Sequence, residues 1–108
     1  MTNYNDLTID SQEFWNYKEY KKLSQQIEDA GDTKGKVLPA EFISYYQSLN
    51  PDFWLVYYQA GKYFFNKKEY SKAKTEFEKA LTKEITTVPD KEKAGKYLKK
   101  TLKKLKVN

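Results

Sequence analysis

The side chains able to do chemistry here form a restricted set. The 108 residues contain no His and no Cys, which leaves Lys, Asp, Glu, ten Tyr and the hydroxyls. Imidazole acid–base catalysis, thiolate nucleophiles, disulfides and thiolate metal sites are therefore excluded. With no Cys, the redox compartment is left open. The carboxylates Glu76, Glu78 and Glu84 alternate with Lys72, Lys79 and Lys83. That pattern reads as ordinary helix surface charge and not as two acids converging on a substrate. Asp29 to Gly35 invites comparison with a calcium loop, but Lys34 stands where Gly is required and Ala40 where the bidentate Glu belongs. There is no Gly-rich phosphate loop and no nucleophile elbow. No metal, no cofactor and no catalytic residue is expected, so the chain is not predicted to be an enzyme on its own.

The net charge of +5 is concentrated at one end. Residues 90–108 carry eight Lys against Asp90 and Glu92, a local +6, so the remainder carries minus one. Every basic residue is Lys. Without the planar Arg fork, specific nucleic-acid recognition is not expected. The Lys-rich segment leaves contact with an anionic surface as a secondary expectation. The aromatic residues recur at core spacing and are read as packing, not as a base-stacking platform.

Helices must position whatever site exists. One domain suits this length, and 39% apolar with 17% aromatic residues supplies a core. The longest apolar run, Phe53 to Tyr58, is far short of the roughly 20 residues of a membrane span. Residues Met1 to Tyr4 do not resemble a signal peptide, so a soluble, cytoplasmic chain is expected.

After a polar arm over 1–10, Phe14, Tyr17, Tyr20, Leu23, Ile27 and Ala30 recur at steps of three or four, predicting a first helix. Asp10 with Glu13 would cap it, and Gly31 with Gly35 would stop it. A short second helix runs from Pro39 to Asn50 with Phe42, Ile43, Tyr46 and Leu49 on one face. The third begins with Asn50 as cap and Pro51 in its first turn and ends near Phe65. The fourth spans 69–84, with Tyr70, Ala73, Phe77, Ala80 and Leu81 aligned. Asp90 would cap a fifth, striped by Ala94, Tyr97, Leu98, Thr101, Leu102 and Leu105.

Within 51–85, Tyr57, Ala60, Gly61 and Phe64 are followed in register by Tyr70, Ala73, Phe77 and Ala80. In this spacing the two helices resemble one tetratricopeptide repeat. The resemblance implies antiparallel helices crossing closely at Gly61 and Ala73, with aromatics filling the space around the crossing. Ile85 stands where that family usually has Pro, and Pro89 follows four residues later, so the array is expected to end here. Residues 11–50 read as a degenerate or unrelated helical pair, because Pro39 and Tyr46 occupy places of small residues. Residues 86–108 would close the open end as a capping helix. The implied fold is all-α: antiparallel hairpins in a tetratricopeptide-like, right-handed superhelical fragment.

The same resemblance implies a non-catalytic protein–protein interaction or scaffold module. In the family, ligands lie on the face built by the first helix of each repeat, which here selects Leu55, Tyr58, Gln59, Lys62, Phe65 and Asn66. Only Lys62 and Asn66 could contribute to a carboxylate clamp, so an aromatic, uncharged peptide or a neighbouring domain is the expected partner. The alternative is a C-terminal accessory helical domain of a larger bacterial enzyme, resembling the extensions of some acyltransferases and amide hydrolases. Abundant Lys, Asn, Tyr and Ile without Arg suit an AT-rich bacterial genome.

Overall fold

The apolar periodicity becomes five helices in a computed structural model that describes the backbone of residues 12–106 and the side chains of residues 17–106. They are α1 (Gln12–Asp32), α2 (Ala40–Leu49), α3 (Trp54–Asn66), α4 (Tyr70–Thr82) and α5 (Val88–Lys106). No strand occurs among the described residues. The arm over 1–10, the Asp10 cap and the side chains of Glu13 and Phe14 lie outside the described residues.

Four helix ends differ from expectation, each for a local reason. Helix α1 runs through Gly31 to Asp32. Thr33 then donates its hydroxyl to the Asp29 carbonyl at 2.7 Å, and the left-handed turn falls at Gly35, φ 85°. Asn50 closes α2 instead of capping α3, its N–H bonding the Gln47 carbonyl. Pro51 and Asp52 form a turn ahead of α3, tied down by Tyr57, whose hydroxyl donates to the Pro51 carbonyl at 2.5 Å. Helix α4 stops at Thr82, and Lys83 turns extended. Thr87, not Asp90, caps α5: its oxygen accepts the Asp90 N–H, its hydroxyl donates to the Asp90 carboxylate at 2.7 Å, and Pro89 occupies the first turn.

Helix α3 is the hub. Trp54, Val56, Tyr57, Tyr58, Ala60, Gly61 and Tyr63 are all buried, so this helix is covered nearly all round. Helices α1, α2, α4 and α5 all pack on it, α4 most extensively. Leu23, Ile27 and Ala30 supply the α1 stripe, and Ile43 and Tyr46 that of α2. Between α3 and α4 the approach is close, because a Cβ on Gly61 would meet Phe77 ring carbons at 2.6–2.9 Å. Helix α5 closes the other flank through Ala94, Thr101 and Tyr97, whose ring stacks on Phe77 at 5.4 Å.

One charge was misread from sequence. Glu76 is only 7% exposed and accepts a hydrogen bond from the Gln47 Nε2 at 2.7 Å, so it is an interior carboxylate joining α4 to α2. Its place was legible: it falls on the Ala73, Phe77, Ala80 stripe at helical spacing. Its partner was not.

Candidate functional site

Along α3, positions 55, 58, 59, 62 and 66 recur at helical steps and fall beside α1. Leu55, Tyr58, Gln59, Lys62, Tyr63 and Asn66 there face Ile27, Glu28, Gly31 and Asp32 of α1 across a groove of about 200 Å³. The loop that returns the chain to α2 is pinned to the same helix. The Leu38 N–H donates to the Tyr63 hydroxyl at 2.8 Å, and the Lys67 Nζ donates to the Thr33 carbonyl at 2.8 Å.

Gln59 is fixed from behind. Its Oε1 accepts hydrogen bonds from the Ser24 hydroxyl at 3.0 Å and from the Tyr46 hydroxyl. Burial, reinforced by the neighbouring Tyr20, holds the Tyr46 phenol well above its ordinary pKa, so it stays a neutral donor. With the oxygen engaged twice, the Gln59 Nε2 is the amide's remaining hydrogen-bonding group, and it meets no acceptor among the described residues.

Lys62 lies over two rings, 5.6 Å from the Tyr58 centroid and 6.0 Å from that of Tyr97, and pairs with no carboxylate among the described residues. Opposite, Glu28 and Asp32 are exposed in the last turns of α1, where the helix carries no basic residue. The dipole makes that end more negative still. Ile27, Leu55 and Tyr63 supply the apolar part of the groove's lining. Such an arrangement can seat a chain segment by hydrogen bonds and burial.

Two expected contact residues are used inside the molecule. Tyr58 is 7% exposed: Trp54, Phe77 and Tyr97 surround its ring, and burial, then Tyr97 and Asp90, push its phenol up to about 12. It forms groove wall and is not an anchor held out to a partner. Phe65 does not reach the groove. Its ring stands edge-on to Tyr70 at 5.4 Å and to Tyr97 at 5.6 Å, under α5. The α1 residues and Tyr63 were missed, because nothing in local periodicity says that α1 lies against this side of α3.

Among the described residues no three His, Cys, Asp or Glu side chains gather to hold a metal ion, and no helix is long and apolar enough to cross a membrane. No family model, curated protein or solved structure matches the chain.

Proposed function

We propose that the chain is a non-catalytic interaction module of tetratricopeptide type that seats a short extended peptide segment in the α1–α3 groove. The helical-repeat part of this reading rests on Gly61 against Phe77, on Ala73 and Ala80 fully buried at the α4 crossing, and on α5 laid over α4 as a cap. The binding part rests on one observation, the Gln59 amide held by Ser24 and Tyr46 in a groove lined in part by Ile27, Leu55 and Tyr63.

Gln59 and Asn66 stand two helical turns apart, about 10 Å, which is the length of about three extended residues. Their amide N–H groups suit two carbonyls of one bound segment about three residues apart. An apolar side chain rests on Ile27, Leu55 and Tyr63. The exposed Glu28 and Asp32 favour a Lys or Arg beside it, in place of the wholly uncharged segment expected from sequence.

The test is a nuclear magnetic resonance titration of the labelled chain with hexapeptides that differ only in a central Lys, Gln or Glu. The Gln59 and Asn66 side-chain amides and the backbone of residues 28–32 should shift, most with the Lys peptide. Asn66→Ala should weaken binding about three- to tenfold, the worth of one neutral hydrogen bond. Shifts confined to other surfaces, or an unaffected Asn66→Ala variant, would remove the groove as the site.

A further inference from the structure

Helix α5 presents two faces of opposite character. Ala94 and Thr101 are fully buried, and Tyr97, Leu98 and Leu105 are half-buried beside them. Lys93, Lys96, Lys99, Lys100, Lys103, Lys104 and Lys106 are all exposed. At 100° per residue these seven occupy an arc of about 160° opposite the buried stripe, along about 20 Å of helix. No acid interrupts residues 93–106, and none of the seven forms an ion pair among the described residues. Lys100 leans over Tyr97 at 5.1 Å, and no ring contact holds the others. The last turn carries Lys103, Lys104 and Lys106, which complement the helix dipole, but the dipole does not require the earlier four.

We infer that this ridge is a peripheral docking surface for a membrane bearing anionic lipid headgroups. Charge selects a polyanion, and three features choose among polyanions. The ridge has no Arg fork to grip phosphates bidentately or read base edges. Its one aromatic, Tyr97, is turned inward against Tyr58, Phe65 and Phe77, so nothing is offered for base stacking. Leu102, 37% exposed, sits on the border of the ridge, beside Lys99 and Lys106 one helical turn away on either side. An apolar side chain framed by lysines suits the boundary between headgroups and acyl chains, and a phosphodiester backbone has no use for it. Because α4 covers the apolar face of α5, the contact is superficial, dominated by lysine charge and weakened by salt.

The full chain would be sedimented with vesicles of neutral phosphatidylcholine, and with vesicles containing about one-third phosphatidylserine, at about 0.1 M salt. It should pellet with the anionic vesicles only. Replacing Lys96, Lys99, Lys103 and Lys106 with Gln should lower the partition coefficient at least about tenfold. Leu102→Gln should lower it about threefold. Circular dichroism would verify the helices of both variants, whose altered side chains point to solvent. A short DNA duplex at equal phosphate concentration serves as competitor. No pelleting with anionic vesicles overturns the inference, as does binding to the duplex at equal or higher affinity with Leu102→Gln unaffected.

Discussion

The close approach of α3 to α4 depends on one missing side chain. Gly61 sits mid-helix, where Ala would ordinarily be preferred by about 0.5–1 kcal/mol, yet its absent Cβ makes room for the Phe77 ring. That ring cannot swing away: Phe77 is fully buried, with Tyr58 at 6.0 Å and Tyr97 stacked at 5.4 Å. Overpacking should therefore outweigh the propensity gain, and Gly61→Ala should lose about 1–2 kcal/mol in urea unfolding. Gly95 is the control, since nothing lies within 4 Å of its Cβ position. Gly95→Ala should gain about 0.5–1 kcal/mol. A Gly61→Ala variant as stable as the parent would show that the crossing can relax and that Gly61 is not required by packing. At this scale the sequence was informative through the resemblance that its spacing carries: that resemblance implied a close crossing at Gly61, and the Phe77 ring lies against it. Tyr58 and Phe65 were placed less well. Both lie on a helix that is apolar nearly all round, so its pattern contains no record of which side α5 covers.

Between helices, the turn from α3 to α4 is closed by backbone bonds without a glycine. Lys68 takes φ 63°, its N–H bonds the Phe65 carbonyl at 3.0 Å, and the Glu69 N–H bonds the Phe64 carbonyl at 2.9 Å. Those are the two bonds of a Schellman ending, whose left-handed position favours Gly by removing the Cβ clash. Lys68 is exposed and takes part in no ion pair or ring contact among the described residues. Lys68→Gly should therefore stabilise by about 0.5–1 kcal/mol and raise the melting temperature by about 3–5 °C. A lower melting temperature would mean that the lysine contributes more than its backbone strain costs. The same turn explains what was legible in the elements. Helix existence followed from the 3.6-residue period, which burial enforces. Helix ends did not, because they depend on which of several eligible residues bonds the free backbone groups. Thr87 and Asp90 could each have capped α5, and only their reciprocal bonds decide.

Taken whole, the molecule measures 51 × 32 × 18 Å, and its helices gather on α3. Stability should then be graded outward from α3. Helix α3 touches every other helix and is covered by all of them. Helix α2, ten residues long, is secured by two buried side chains, Ile43 and Tyr46, by the half-buried Phe42 and Leu49, by the Gln47 bond to Glu76, and by the Tyr46 hydroxyl on Gln59. Its release would expose Glu76 to water, which welcomes a carboxylate, so opening there is cheaper than opening the apolar α3–α4 seam. In native-state hydrogen exchange, the α3 and α4 amides should exchange only with global unfolding, and those of α2 through a smaller opening that depends weakly on denaturant. That opening would also free Gln59 from Tyr46 and loosen the back of the groove. A peptide held by Gln59 should therefore slow exchange in α2, a helix that does not line the groove, as strongly as in residues 28–32. Equal protection of α2 and α3 in the free chain would instead make the five helices a single cooperative unit, with the groove as rigid as the core.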